Sequence, residues 1–212
     1  MMEHFFIAGT DARVGKTYVI CALLRDLRRR GVEGVGFCPV ACGARSEARA
    51  MRDASDSSLS LDLLNPFYLR TVAAPMMAAA LERKPINPEV LLRSFHTLQA
   101  QCGPVLVEGG AGWADPLAAG YTMADLAQEM RLPVILVVRN QRGAAALATL
   151  TAADIRARGL KLRGIILNHP DEEWDTAAVT NASLLAELTG APVLAELIHG
   201  EESVDASEVL GI

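Results

Sequence analysis

The segment Gly9-Thr10-Asp11-Ala12-Arg13-Val14-Gly15-Lys16-Thr17 leaves an apolar run, His4-Phe5-Phe6-Ile7-Ala8, and opens directly into Tyr18-Val19-Ile20-Cys21-Ala22-Leu23-Leu24. A strand, a glycine-bracketed loop and a helix in this order form a phosphate cradle. Backbone N–H groups and the positive end of the helix face phosphate oxygens, the lysine reaches the β/γ bridge, and the hydroxyl ligates Mg²⁺. Lys16 and Thr17 fill the last two roles, so ATP with Mg²⁺ is the expected ligand. The spacing is unusual. The common loop is G-x-x-x-x-G-K-[ST], whereas five residues separate Gly9 from Gly15, which puts Thr10 where the first glycine ordinarily stands.

Outward from this loop, the 212 residues suffice for one α/β core and not comfortably for two, so residues 1–212 are expected to form a single domain. Half of the chain is hydrophobic (51%), yet no apolar run approaches the roughly 18 residues of a membrane span. A net charge of −5 argues against nucleic acid as principal partner. The basic cluster Arg28-Arg29-Arg30 suits the C-terminal end of the first helix. Met1-Met2-Glu3-His4 leaves no room for a secretory leader before the first strand, and Cys21, Cys38, Cys42 and Cys102 lack a disulfide-framework spacing; a cytoplasmic protein with free thiols is expected. Cys38-x-x-x-Cys42 has no histidine or second close cysteine pair beside it, so a zinc site is set aside.

Apolar runs then alternate with helical patterns. Helices are expected over Lys16–Arg30, near Glu47, and over Ala74–Glu82, Pro88–Gln101, Thr122–Arg131, Gly143–Arg158 and Thr176–Thr189. Strands are expected at Val35–Val40, Pro104–Glu108, Pro133–Val138, Leu162–Asn168 and Pro192–Leu197, while Asn65-Pro66-Phe67-Tyr68 reads as a break. Near-continuous apolar strands between helices predict a three-layer α/β fold of the P-loop NTPase kind, with a mostly parallel sheet covered on both faces. Ligands of such sheets sit beyond the carboxyl ends of the strands. Glu108, closing the run Val105-Leu106-Val107, stands where P-loop enzymes hold the acid that helps place Mg²⁺. Gly109 and Gly110, with Ala111 and Gly112, allow close backbone approach to a charged substrate.

Several spaced segments together resemble the dethiobiotin synthetase family, over about residues 4 to 199. Gly9-Thr10-Asp11 and Val14-Gly15-Lys16-Thr17 match its loop with the same long spacing, and Gly36-Phe37-Cys38-Pro39-Val40-Ala41-Cys42-Gly43 is similar to its Gly-Tyr-Lys-Pro-Val-Ala-Ser-Gly. Asn65-Pro66-Phe67, Val105-Leu106-Val107-Glu108-Gly109 with Trp113 and Pro116-Leu117, and Leu132-Pro133-Val134-Ile135-Leu136-Val137-Val138 match further segments. The resemblance implies an ATP-dependent carbon–nitrogen ligase that closes a ureido ring on 7,8-diaminopelargonate with CO₂, through a carbamate and a carbamic–phosphoric anhydride. It also implies a homodimer with sites at the interface.

Carried over residue by residue, the resemblance makes Lys16, Asp11 and Thr10 catalytic. It gives the nucleotide to Gly9, Ala12, Arg13, Val14, Gly15, Lys16, Thr17, Tyr18 and Asn168, with Asn168 at the adenine. It assigns Mg²⁺ to Thr17, Glu108 and Glu47, and the substrate side to Cys38, Cys42, Gly109, Gly110, Ala111, Gly143 and Ala146. There are departures. Cys38 replaces a lysine that contacts carbamate and phosphate, Cys42 a serine, Ala12 a threonine, Ala146-Leu147 an Asn-His pair, and His199 a proline, and the loop between Gly43 and Glu47 is short. Losing one preorganised donor typically lowers a rate by about 10²–10³. Arg13, Arg45, Arg49, Arg139 and Arg142 are the candidates for a substituting charge. Two alternatives stay open: a divergent member acting on another amine or acid, and a partition-type ATPase switch. That switch carries an extra loop lysine where this chain has Gly9-Thr10.

Overall fold

The computed structural model describes residues 2–171, 176–201 and 204–212. In chain order the elements are β1 (Phe5–Gly9), α1 (Lys16–Arg29), β2 (Val35–Phe37), β3 (Val40–Cys42), α2 (Ser46–Ser55), α3 (Leu61–Leu64), β4 (Phe67–Leu69), α4 (Pro75–Leu81), α5 (Pro88–Gln101) and β5 (Val105–Glu108). There follow β6 (Pro116–Ala118), β7 (Tyr121–Thr122), α6 (Met123–Met130), β8 (Val134–Arg139), α7 (Ala144–Ala157), β9 (Leu162–Asn168), α8 (Thr176–Thr189), β10 (Val193–Leu197) and α9 (Ala206–Leu210).

The main sheet has the order β10-β9-β8-β1-β5-β2, and every neighbouring pair in it is parallel. Side chains alternate faces along a strand, and both faces are covered here. Phe6, Ala8, Val107, Leu136 and Val138 pack with residues of α4 to α8, whereas Phe5, Ile7, Leu106, Ile135 and Val137 pack with α1, α2 and α9. This accounts for the unbroken apolar runs. β1 lies centrally, with β5 and β8 on either side, so the loop leaving it opens into the crevice at the carboxyl edge.

The run Val35–Val40, expected as one strand, is divided at Cys38-Pro39. Val35–Phe37 pairs with β5, and Val40–Cys42 pairs in parallel with β4 in a separate two-stranded sheet. Pro39 has no N–H to continue a ladder. Asn65 fills the break: its Nδ2 donates to the carbonyls of Cys38 (2.9 Å) and Phe67 (3.1 Å), and the Cys38 N–H donates to Leu64 O. The stretch at Asn65, expected as a break, is therefore a junction between α3 and β4.

The arginine cluster does end α1, and it has a specific partner. Asp26 accepts from Arg29 (2.9 Å), Arg30 (2.7 Å) and the Ala206 N–H (2.9 Å), which fastens α9 to α1. Helix α6 starts at a capping box, in which Thr122 and Asp125 satisfy each other's backbone N–H groups.

Candidate active site

Helix α1 begins without a side-chain cap and with no acid in its first turn, so its free N–H groups face the loop before it. Two glycines of that loop are demanded by space, and Gly15 by its φ as well. A Cβ on Gly15 (φ +98°) would lie 2.1 Å from Asn168 Nδ2, and one on Gly9 would lie 2.8 Å from Lys16 Nζ. Asn168, at the end of β9, donates Nδ2 to Val14 O (2.9 Å) and so fixes the loop from beneath. Tyr18 donates its hydroxyl to Glu201 O, joining the start of α1 to the segment after β10.

Lys16 is 6% exposed, and its ammonium donates to Asp11 O (3.1 Å) and Ala111 O (3.0 Å). Burial lowers its pKa, and the carboxylates of Glu108, Asp115 and Asp11 oppose that shift. Thr17 Oγ1 donates to Glu108 Oε1 at 2.5 Å. Burial pushes the Glu108 carboxyl up, with the Thr17 hydrogen bond and the Lys16 charge pulling the other way. A hydroxyl and a carboxylate side by side form a partial oxygen set, the arrangement suited to Mg²⁺, which keeps waters and takes phosphate oxygens for its remaining positions. Glu47, on α2, lines the same cleft but is exposed, with the Ser46 hydroxyl donating to it at 3.0 Å. Among the described residues no group of three or more His, Cys, Asp or Glu is arranged to hold an ion.

These groups share a cleft of about 640 Å³. One wall carries Arg13, Gly15, Lys16, Thr17, Cys38 and Glu108; the other is Val40, Ala41, Cys42 and the apolar turn Val72–Pro75, closed by Gly110, Ala111 and Asp115. Thr10 and Asp11 line a second hollow of about 550 Å³, with Ala12 and the segment Ala111–Asp115, bounded by α7 at Leu150, Thr151 and Asp154. Gly109 lines neither; its N–H donates to Ile7 O, and a Cβ there would meet Phe6 at 2.7 Å. Gly143 and Ala146 are exposed at the start of α7 and line neither hollow. A larger hollow of about 860 Å³ lies at the amino-terminal edge of the sheet, by Glu3, His96, Pro133 and Lys161, away from every loop of the site.

Cys38 is buried, its Sγ 3.6 Å from Val40 O. Burial and the neighbouring Glu108 and Glu47 carboxylates drive its thiol well above the ordinary cysteine value, so it is a neutral group beside Glu108 and not a nucleophile. Two proposed substitutes for the absent lysine are excluded by their bonding. Arg45 donates to Asn65 Oδ1, Leu61 O and Asp62 and stacks over Tyr68, outside the cleft. Arg139 is paired with Asp171. Arg49 and Arg142 are exposed and outside the cleft lining, which leaves Arg13 as the arginine that lines it. The turn after Asn168 runs into residues 172–175, outside the described residues.

The sequence reading missed Asp115. Its Oδ2 accepts the N–H groups of Ala111 (3.0 Å) and Gly112 (3.2 Å), and the Met123 N–H donates to its carbonyl. An aspartate shortly after a glycine cluster is the only local sign of such a turn. Trp113, whose indole donates to Asp154 at 2.7 Å, was noted as part of a motif without that partner.

A family model described as an AAA domain matches residues 3–206. A curated ATP-dependent dethiobiotin synthetase of Akkermansia muciniphila is 44% identical, covering 99% of this chain and 98% of the relative. That of Aromatoleum aromaticum is 42% identical over 92% of this chain and 90% of its own length. Among solved structures, a ParA family ATPase of Chlorobium tepidum TLS superposes with a TM-score of 0.59 at 14% identity, covering 99% of this chain and 91% of that one. The septum site-determining protein MinD of Pyrococcus horikoshii OT3, complexed with Mg-ADP, gives 0.60 at 16% identity, covering 100% and 86%. The structural neighbours share the fold; the sequence relatives share the whole length of the chain.

Proposed function

The chain belongs to the ATP-dependent dethiobiotin synthetase family, and from that premise we propose that it closes the ureido ring of dethiobiotin from 7,8-diaminopelargonate, CO₂ and ATP. One substrate amine adds to CO₂, giving a carbamate and releasing a proton. A carbamate oxygen then attacks the γ-phosphorus and ADP leaves. The second amine attacks the carbonyl carbon of the resulting anhydride, phosphate leaves with its C–O bond electrons, and the attacking nitrogen gives up a proton to solvent.

The observation that carries this reading is the meeting of Lys16 with the Thr17–Glu108 pair in a cleft that also has an apolar wall. The Lys16 ammonium, held on two backbone carbonyls, is preorganised for charge that develops on the transferring group, and the open N–H groups of α1 face the phosphates. Thr17 and Glu108 would hold Mg²⁺, with Glu47 reaching in from α2. When bound, the ion neutralises phosphate charge and aligns the β and γ oxygens. Asp11 and Thr10 face the second hollow and take the amine end of the substrate. Asn168 reads the adenine beside the loop that it fixes.

A homodimer is supported by exposed Leu147 and Leu150 on α7 and Leu184 and Leu188 on α8, since α7 is the substrate-side helix of the resemblance. Free cysteines agree with a cytoplasmic setting, and no helix among the described residues is long and apolar enough to cross a membrane. Purified protein with MgATP, bicarbonate and 7,8-diaminopelargonate should release one phosphate per dethiobiotin, read by mass spectrometry. The second reading is the same chemistry on a different amine, favoured by the buried thiol at Cys38 and the short Ala146 side chain. Nucleotide binding without dethiobiotin, followed by phosphate release with another diamine, would select it.

A further inference from the structure

The glycine-rich segment 109–115 presents the Ala111 carbonyl to Lys16, yet Gly109, Gly110 and Gly112 give that segment little stiffness of its own. Its bulky anchor is Trp113, 6% exposed and packed edge-on against Phe6 of β1, with ring centroids 6.0 Å apart. An indole N–H can only donate, and left buried without an acceptor it forfeits its hydration with nothing in return. The acceptor is Asp154 Oδ2 on α7, at 2.7 Å. The same oxygen accepts Arg158 Nε at 2.6 Å, and Arg158 also donates to Asp125 at 2.7 Å. Asp125 is the third residue of α6, the acidic half of its capping box with Thr122. One carboxylate therefore joins the lysine-bearing cleft to α6 and α7, across 41 residues of sequence. Asp154 also lines the hollow that holds Thr10 and Asp11.

Resting on the ligase reading above, we propose that Asp154 is a positioning residue for phosphoryl transfer: through the Trp113 indole it fixes segment 109–115, and with it the carbonyl that orients the Lys16 ammonium. Asp154 touches neither Lys16 nor the Thr17–Glu108 pair, so its effect on the lysine side of the cleft runs through Trp113. Arg158 holds the carboxylate in place and keeps it charged, the state in which it accepts most strongly. Burial raises the Asp154 carboxyl, but the bonds from Trp113 and Arg158 and the Arg158 charge bring it below the usual carboxylate range.

The test combines kinetics with the tryptophan itself. The chain has two tryptophans, so a Trp174→Phe background leaves Trp113 as the sole indole reporter. In that background Asp154→Ala should raise acrylamide quenching of Trp113 severalfold, while Asp154→Asn, which keeps an acceptor oxygen, leaves it close to the parent. In turnover, Asp154→Ala and Trp113→Phe should each lower kcat by about 10- to 100-fold, the scale of a misplaced reacting group. The KM for the diamine should change little, and the double variant should be no slower than the worse single one. Asp154→Asn should recover most of kcat. Equal quenching in parent and Asp154→Ala would overturn the proposal whatever the substrate proves to be, as would an unchanged kcat or multiplicative losses in the double variant. A parent that binds ATP and makes no dethiobiotin would instead overturn the ligase reading, and the quenching comparison would still decide the role of Asp154.

Discussion

The two walls of the cleft are built on different terms. On the phosphate wall the central groups are each fixed by a partner drawn from a distant element: Lys16 by Ala111, Thr17 by Glu108, Gly15 and Val14 by Asn168. On the facing wall Val40, Ala41, Cys42 and Val72–Pro75 present apolar or small surface, and Val72 is 87% exposed. Moving a phosphoryl group demands charge held in advance at defined points, whereas accepting an alkyl diamine demands shape and the exclusion of water. The groups so fixed keep the pattern of the resemblance, and the departures fall beside them at Ala12 and Cys38, on the facing wall at Cys42 and, outside the cleft, at Ala146-Leu147.

The sharpest way to break this contrast is at Lys16. Lys16→Ala should lower kcat by about 10³-fold or more, since it removes a full charge as well as a preorganised donor. Calorimetry should still detect the folded protein near its parent Tm, because the lost side chain is polar and its carbonyl partners become open to water. Glu108→Gln comes next, at about 10²-fold in kcat with a higher Mg²⁺ requirement, read by titrating the metal at fixed ATP. An unchanged metal requirement would remove Glu108 from the ion and leave that role to Thr17 and Glu47.

Arg13 and Cys38 sharpen the comparison because both lie on the phosphate wall and only one is charged. Among the described residues Arg13 makes no ion pair, and it adopts a left-handed backbone (φ +58°). Arg13→Asn tolerates that conformation and removes the guanidinium, so it isolates the charge. A fall in kcat of about 10-fold is expected, with Arg13→Lys in between. Cys38→Ser, by contrast, should stay within about 3-fold, because the thiol is neutral and acts as a small filler beside Glu108. If the order is reversed, Cys38 takes part in the chemistry and the charge at Arg13 is incidental.

What was legible in the sequence follows the same division. The loop, its spacing and Glu108 could be read because each is a local pattern: a strand, a fixed run of residues, a helix. Helix and strand limits came within a few residues wherever the apolar runs were long. The division at Cys38-Pro39 was hidden, since β2 and β3 are three residues each and an apolar run does not announce a change of sheet. The bonding of Arg45 to Asn65 and Asp62, and of Asp154 to Trp113, was equally hidden; both join parts of the chain that only the tertiary fold brings together. A surplus of arginine is visible in composition, but its occupation by other partners is not.

The smallest effect on the cleft is expected at the far end of α1, where the comparison predicts stability without catalysis. Burial raises the Asp26 carboxyl, but the Ala206 N–H, the Arg30 hydrogen bond and the charges of Arg30 and Arg29 bring it below its ordinary value. Asp205, at the cap of α9, is lowered to about 2, first by the Ser207 hydroxyl. Both folded pKa values lie below the unfolded reference of about 3.9, so their contribution is complete above that pH and disappears as pH falls through the folded values. Asp26→Asn should lower stability at pH 7 by about 1.5–3 kcal/mol, the scale of hydrogen bonds to a charged group, and flatten the loss of Tm between about pH 4 and pH 2. Because α9 and the end of α1 lie on the face of the sheet away from Trp113 and Asp154, kcat and KM should remain at the parent values. A kcat that fell with stability would mean that α1 transmits its far end to Lys16, and that the phosphate wall is held by the whole helix and not by its first turn alone.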